Sequence, residues 1–158
     1  MTSAYVIVSS TRAAAGTYQD RTGPVLVDWL RSRGLDTPDA EVVADAEIAA
    51  AVTAALGSPV PPRVLLTTGG TGLNPDDRTV EAVREHLDTE LPGIVQAFFA
   101  QGLASTPMAV LSRAVAGTTG RTFVMTLPGS RGAVADGIAV LDPLLDHLIS
   151  QLEGRHDH

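Results

Sequence analysis

Apolar residues along the chain fall into short continuous runs that alternate with longer segments carrying one apolar helical face. The runs Ala4–Val8, Val64–Thr68 and Arg121–Leu127 predict buried strands of the kind found in parallel sheets. Glu41–Ala44 predicts a further short strand that leads into Asp45. Because strands alternate with helices, the pattern predicts an α/β three-layer sandwich with a mostly parallel central sheet.

Helical periodicity follows most of the predicted strands. Pro24 suits a first helical position and Gly34 a helix stop, and Thr79 is expected to cap a helix. Pro143 is expected to kink or divide the last helix, whose apolar face runs from Val134 to Leu152. The other predicted helices are Pro24–Arg33, Glu47–Leu56, Thr79–Leu87 and Ile94–Ala104.

An antiparallel hairpin is predicted near the end of the sheet. Val110–Ala116 and Arg121–Leu127 read as two strands joined across Gly117–Gly120. The length of 158 residues predicts one domain over residues 1–152, followed by a polar, disordered tail at 153–158 that contains His156 and His158.

Composition excludes several classes of function. The net charge of −7 argues against nucleic-acid binding, which depends on clustered cations. The absence of cysteine and lysine excludes thiol nucleophiles, Schiff bases and a Walker A phosphate loop. No apolar run approaches the roughly 20 residues that cross a bilayer. The N-terminus lacks the basic segment of a signal peptide, so a cytoplasmic location is expected.

A glycine-rich turn after the strand Val64–Thr68 carries the clearest chemical signal. Thr67–Gly72 reads Thr-Thr-Gly-Gly-Thr-Gly, in which backbone N–H groups can converge on an anion without Cβ atoms in the way. Asp76 and Asp77 follow at once. Carboxylates beside a phosphate cradle favour a divalent cation, so the stretch predicts a phosphorylated ligand with Mg²⁺.

Three predicted strand exits are polar and contain glycine: Ser9–Gly16, Thr67–Asp77 and Pro128–Gly132. In open α/β sheets, ligands bind at the carboxyl ends of the strands near the point where the strand order reverses. We therefore expect these three loops to meet in one binding site.

The segments TTGGTGLNPDDRTVE and LPGS give the chain a family resemblance. They resemble the GGTG…D-x-T-P-E and L-P-G-S-P signatures of the MogA/MoaB family of molybdenum-cofactor biosynthesis proteins, also seen as the G domain of gephyrin. The segments SSTRAAAGTYQDRTGP, VVADAE and LSRAVAGTTGRT match it in the same order. The chain departs from the signatures at Arg78, Val80 and Arg131, which leaves the details of substrate geometry open.

The resemblance implies a homotrimer of three-layer subunits. It also implies a molybdopterin adenylyltransferase, which transfers AMP from Mg²⁺-ATP to the terminal phosphate of molybdopterin and releases pyrophosphate. The product would pass to a MoeA-type molybdate-insertion protein. A non-catalytic MoaB-type binding or carrier protein and a CinA-like nucleotide pyrophosphatase are the alternatives.

Candidate site residues follow from the matching motifs. Asp45 and Asp77 are expected to act in adenylyl transfer and to hold the metal ion. The residues expected to bind phosphate, nucleotide or pterin are Ser9, Ser10, Thr68, Gly69, Gly70, Thr71, Gly72, Ser112, Arg113, Pro128, Gly129 and Ser130.

Ordinary structural roles compete with several of these assignments. Asp45 and Asp77 each lie where a helix cap is favoured, and Asp76 is expected to be a solvated turn residue. Arg113 suits a phosphate or an acidic side chain equally well. Trp29 is expected to belong to the core, because it lies on an apolar helix face.

Overall fold

The computed structural model describes residues 3–155; Met1, Thr2 and His156–His158, with the two tail histidines, lie outside the described residues. Six strands form one sheet in the order β2-β1-β3-β6-β5-β4. β1, β2, β3 and β6 are parallel, and β4 and β5 are antiparallel to their neighbours. The strands are β1 Ala4–Ser9, β2 Glu41–Val43, β3 Val64–Thr68, β4 Thr89–Glu90, β5 Ala116–Thr119 and β6 Thr122–Leu127.

Helices cover both faces of the sheet. They are α1 Thr11–Ala14, α2 Gly23–Ser32, α3 Ile48–Leu56, α4 Thr79–Arg84, α5 Pro92–Leu103, α6 Arg131–Leu141 and α7 Leu145–Leu152. Short 3-10 helices span Asp45–Glu47 and Pro107–Leu111. Pro143 lies in the break between α6 and α7, so the predicted division of the last helix is confirmed.

Two buried clusters show why the central strands are apolar throughout. On β3, Leu66 packs into the cluster with α2, α5, α6 and α7, whereas Leu65 packs into the cluster with α3 and α4. Successive side chains of a strand point to opposite faces, and here both faces are buried. The predicted three-layer α/β architecture with a mostly parallel sheet is confirmed.

Trp29 packs at the edge of the larger cluster, as predicted for a core residue. Its Nε1 donates to Asp142 at 2.8 Å, and Arg33 pairs with the same carboxylate at 2.8 Å. The indole hydrogen bond, and then the Arg33 guanidinium, hold the pKa of Asp142 below its ordinary value. The contact joins α2 to the segment between α6 and α7.

The predicted strand Val110–Ala116 is wrong over most of its length. Thr106 caps a 3-10 helix that begins at Pro107 and includes Val110, and β5 begins only at Ala116. The Thr106 hydroxyl oxygen accepts from the Met108 amide at 3.2 Å, and proline favours a first helical position. These two signals outweigh the β-branched residues of the segment.

The hairpin turn is also shorter than predicted. β5 and β6 pair through Thr119 and Thr122, so the turn is Gly120-Arg121 and not Gly117–Gly120. Gly120 has φ of +55°, a conformation that glycine adopts at little cost. The short strand β4, which the sequence did not indicate, extends the sheet beyond β5.

The predicted cap at Thr79 is wrong. Thr79 is the first residue of α4, and the capping position is Arg78, which makes no capping hydrogen bond with its side chain. The predicted loop after β1 likewise contains a short helix, α1, whose cap is the Ser10 hydroxyl accepting from Ala13 N. At the other end of the chain, Glu153 follows α7 and pairs with Arg63 and Arg155.

Within residues 3–155, no helix is both long and apolar enough to span a bilayer.

Candidate functional site

Three neighbouring parallel strands end at one edge of the sheet and open into polar loops. β1, β3 and β6 end in register, with Val8 beside Thr68 and Thr68 beside Leu127. Because β2 and β3 lie on opposite sides of β1, the strand order reverses at this point. This is the position at which open α/β sheets bind ligands, and the three loops predicted to meet do so here.

Gly69 is the point of closest approach between the loops. Its N–H donates to the Leu127 carbonyl oxygen at 2.9 Å, and its φ is +93°. A Cβ at this position would overlap the Ser9 carbonyl oxygen, and a Cβ on Gly129 would lie 3.4 Å from Gly69 Cα. The glycines therefore allow three loops to touch, which is more than turn geometry requires.

The three residues after Gly69 have backbone N–H groups that are available to a ligand. Within residues 3–155, the N–H groups of Gly70, Thr71 and Gly72 donate to no protein acceptor. All three residues line a cavity. Consecutive unpaired amides of this kind bind anions, so the predicted cradle consists of residues 70–72, while Gly69 N–H is already used.

The far side of the glycine loop is held by the segment before β5. Ser112 Oγ donates to Thr71 Oγ1 at 3.0 Å, and the Arg113 amide donates to the Thr71 carbonyl at 2.9 Å. The Arg113 guanidinium donates to the carbonyls of Gly72 and Asp77, at 2.9 and 3.0 Å, and pairs with Glu81. Of the two partners predicted for Arg113, the structure shows the acidic one.

The Arg113 contact also sets the ionisation of Glu81. The hydrogen bond from Arg113 is the largest of the influences that hold the Glu81 pKa below its ordinary value. The pair therefore favours the charged carboxylate, which fixes the start of α4 against the glycine loop.

Asp77 lies directly beside this loop. Its Oδ2 accepts from the Asn74 amide at 3.0 Å, which closes the turn at residues 74–77. The other carboxylate oxygen makes no hydrogen bond with residues 3–155, and the side chain lines the cavity above the loop. Asp76 is exposed, as predicted for a solvated turn residue.

Asp45 lies on the other side of β1. Its Oδ1 accepts from the Ser9 hydroxyl at 2.8 Å, and its amide donates to Thr11 Oγ1 at 3.1 Å. The predicted strand Glu41–Ala44 is one residue too long, because β2 ends at Val43 and Asp45 begins a 3-10 helix. The carboxylate contacts Ser9 and makes no capping bond to α3.

A cavity of about 750 Å³ lies between the glycine loop, α5 and α6. Apolar side chains form much of its wall, among them Phe98, Met108 and Leu111. Two carboxylates, those of Asp77 and Asp136, also line it. No arginine of the described chain lines this larger cavity.

A second cavity of about 400 Å³ adjoins the first. Three arginines line it, Arg12, Arg21 and Arg131, and Arg12 stacks over the Tyr18 ring at 5.0 Å from its centroid. Gly69, Gly129 and Ser130 line both cavities. Cationic side chains thus predominate in the lining of the smaller cavity. The charged side chains of the described chain that line the larger cavity are both carboxylates.

The structure distributes the predicted site residues unequally. Gly70, Thr71, Gly72, Ser112, Pro128 and Asp77 line the larger cavity; Ser9, Ser10 and Thr68 line the smaller; Gly69, Gly129 and Ser130 line both; Asp45 and Arg113 line neither. Sequence reasoning missed Asp20 and Asp136. Asp20 lies on a loop, where its carboxylate accepts from Gly23 N at 3.2 Å, and Asp136 interrupts the apolar face of α6.

The carboxylates near the glycine loop could supply only part of the coordination shell of a magnesium ion. Within residues 3–155, no group of three or more His, Asp or Glu side chains could hold a metal ion alone. Mg²⁺ commonly takes one or two protein carboxylates and completes its shell with water and substrate phosphates. Asp77 is suited to such a site, because only one of its carboxylate oxygens accepts a hydrogen bond from the described residues and unpaired amides lie beside it.

Comparisons with known proteins agree with this geometry. The profile of a family described as a probable molybdopterin binding domain matches residues 5–147. A molybdenum cofactor biosynthesis bifunctional protein of Synechococcus elongatus is 41% identical over 157 residues, which are 98% of this chain. Molybdenum cofactor biosynthesis protein B of Bacillus cereus is 35% identical over 154 residues, covering 93% of this chain and 88% of that protein.

Solved structures show the same likeness. The molybdopterin biosynthesis Mog protein of Mycobacterium ulcerans superposes with a TM-score of 0.89 at 40% identity, covering 96% of this chain and 99% of that chain. The chain spans about half the length of the bifunctional Synechococcus relative, with 48% of that protein covered.

Proposed function

Because this chain belongs to the MogA/MoaB family of molybdopterin-binding domains, which acts in molybdenum cofactor biosynthesis, we propose that it is a molybdopterin adenylyltransferase. In this reaction an oxygen of the terminal phosphate of molybdopterin attacks the α-phosphorus of ATP. A new P–O bond forms, the bond between the α-phosphorus and the bridging oxygen breaks, and pyrophosphate leaves with the electron pair.

The single observation that carries the proposal is the pair of adjoining cavities. A transfer between two substrates requires both to lie side by side with their reacting groups aligned. The two cavities share a wall at Gly69, Gly129 and Ser130, where the glycine backbones nearly touch. Two ligands bound there would meet at a wall of main-chain atoms and not of bulky side chains.

The charges around this wall suit a reaction between two polyanions. Arg12, Arg21 and Arg131 line the smaller cavity, and the unpaired amides of residues 70–72 line the larger. Phosphoryl-type transfer depends mainly on such positioning and on the stabilisation of charge. These groups would bind phosphate oxygens from both sides of the shared wall.

Asp77 and Asp45 receive different roles in the proposal. Asp77 would hold Mg²⁺, whose charge reduces the repulsion between the phosphates of the two substrates. Asp45 would act through Ser9, because its carboxylate accepts from the Ser9 hydroxyl and Ser9 lines the smaller cavity. Asp45 would thus be a positioning residue for the β1 loop.

The proposal is tested by Asp77→Ala in an assay of pyrophosphate release with molybdopterin and Mg²⁺-ATP. We expect molybdopterin binding to persist and AMP transfer to be lost. Asp76→Ala is the matched control, since it removes the neighbouring exposed carboxylate. Normal pyrophosphate release from a folded Asp77→Ala protein would remove Asp77 from the chemistry. Molybdopterin binding without pyrophosphate release by the wild type would support a binding or carrier protein instead.

The assembly is a further part of the proposal. Large apolar side chains are exposed at the end of α5 and on the following 3-10 helix, with Leu103 50%, Met108 66% and Leu111 54% exposed. Such patches commonly mark protein interfaces. We expect a homotrimer in solution, measurable by light scattering, and transfer of the product to a MoeA-type protein.

A further inference from the structure

Asp136 is a carboxylate that has no polar partner among residues 3–155. It lies on α6, half-buried, and lines the same larger cavity as residues 70–72. No hydrogen bond or ion pair joins it to any residue of the described range 3–155. Gly102 of α5 lies close by, since a Cβ there would be 3.6 Å from Asp136 Oδ2.

The surroundings of Asp136 restrict the kind of ligand that it can take. Phe98, Met108 and Leu111 make the wall apolar, and no cationic side chain of the described chain lines the cavity. A half-buried carboxylate that a ligand covers beside apolar surface needs hydrogen-bond donors from that ligand in compensation. A flat, neutral ring with N–H groups on one edge would supply such donors and would pack against the apolar wall.

A carboxylate accepts two parallel hydrogen bonds when the partner presents two adjacent donors. The 2-amino-4-oxo-pyrimidine ring of a pterin has this edge, formed by N3–H and the 2-amino group. Adenine presents one donor, its 6-amino group, beside the acceptor N1. The carboxylate therefore discriminates between the two heterocycles that the proposed reaction brings together.

We propose that Asp136 is the specificity-determining residue that binds the aminopyrimidinone edge of the pterin in the larger cavity. The inference rests on the proposed function for the identity of the pterin substrate. The phosphate of that substrate would then point toward the amides of residues 70–72, at the other wall of the same cavity. The adenine of ATP would bind elsewhere, without Asp136.

The experiment uses the full chain and probes that carry neither phosphate nor a group to transfer. Binding of pterin, of lumazine and of adenosine is measured by fluorescence or calorimetry at pH 7. Lumazine has an oxygen in place of the 2-amino group, so it lacks one of the two donors. We expect wild type to bind pterin at least about tenfold more tightly than lumazine, the size of one lost hydrogen bond to a charged group.

Asp136→Asn is expected to abolish this preference, because the amide replaces one acceptor with a donor. Asp136→Glu retains a carboxylate and is expected to keep a preference for pterin. Asp28→Asn is the control for charge, since Asp28 is exposed on α2 and lines neither cavity at the carboxyl edge. Adenosine affinity is expected to stay the same in all variants.

An unchanged ratio of pterin to lumazine affinity in a folded Asp136→Asn protein would overturn the inference. So would a loss confined to adenosine, or no pterin binding by wild type. These measurements involve no ATP and no AMP transfer. A failure of the adenylyltransferase proposal can therefore be told apart from a failure of this inference.

Discussion

Thr67 and Thr126 lie side by side on β3 and β6, both fully buried, yet only one of their hydroxyls is paired. Thr126 Oγ1 accepts from the Val115 amide at 2.9 Å. Thr67 Oγ1 has no hydrogen-bond partner among residues 3–155. Two chemically identical residues in one register therefore contribute differently to the free energy of unfolding.

Thr126→Val should lower the free energy of unfolding by about 1–3 kcal/mol, because it leaves a buried N–H group unpaired. Thr67→Val should change it by less than about 0.5 kcal/mol or raise it, since the removed hydroxyl is itself unpaired. Urea denaturation of both variants measures the difference. Equal losses would show that Thr67 has a partner, such as a buried water molecule.

Gly70 should be intolerant of a side chain for two reasons. Its φ is +73°, and a Cβ would overlap the buried Thr79 hydroxyl. We expect Gly70→Ala to lower the free energy of unfolding by about 2–4 kcal/mol, from the left-handed backbone and the overlap together. Gly34→Ala is the control, because Gly34 has φ of +83° with open space around it.

Gly34→Ala should therefore cost about 1 kcal/mol, from the backbone conformation alone. Similar losses for the two variants in denaturant titrations would mean that the contact with Thr79 relaxes at little cost.

Acid should weaken the anchoring of the glycine loop through Glu81. Arg113 lowers the pKa of Glu81 in the folded protein. A group whose pKa is lowered by folding contributes stability above its unfolded pKa and loses it as the pH falls through the folded pKa. We expect Glu81→Gln to reduce the fall in melting temperature below about pH 4.5, where glutamates protonate.

Glu47→Gln provides the comparison for that pH series, because Glu47 is exposed and makes no ion pair with the described residues. If both variants lose stability in acid as steeply as wild type does, the Glu81–Arg113 pair does not contribute to the pH dependence.

Asp45 should affect activity more than folding. Asp45→Asn keeps an oxygen that accepts from the Ser9 hydroxyl, so stability should change by less than about 1 kcal/mol. AMP transfer should fall by about tenfold, because a neutral amide oxygen holds the Ser9 hydroxyl less firmly than a charged carboxylate does. Pyrophosphate release and thermal unfolding, measured on the same preparation, separate the two effects. Full activity in Asp45→Asn would show that the reaction does not require the charge of Asp45.

Ser9→Ala tests the same contact from the other partner. It removes the donor to Asp45 while leaving the carboxylate in place. A larger loss of transfer than in Asp45→Asn is expected, because the contact is removed altogether and Ser9 itself lines the smaller cavity. Full activity in Ser9→Ala would show that the reaction does not require this hydrogen bond.

Continuous apolar runs determined most of the fold in advance. Val64–Thr68 is buried on both faces, so its continuous apolar sequence predicts a strand without knowledge of the neighbouring strands. The strand prediction around Val110 was wrong because the segment carries both strand and helix signals. The cap at Thr106 and the proline that follows it favoured the 3-10 helix. The turn at Gly120 was misplaced because register depends on the partner strand.

The sequence by itself determined the family, the glycine loop and the presence of Asp45 and Asp77 near the strand ends. Only the tertiary structure decided what each group contacts. It directed Arg113 to carbonyls and Glu81, and it brought Asp136 to the same cavity as Asp77. It also left the amides of residues 70–72 without acceptors in the described part of the chain. The physical reason is that motifs record residue types at short spacing, whereas hydrogen-bond partners and cavity walls come from residues that are distant in the chain and meet when helices pack on the sheet.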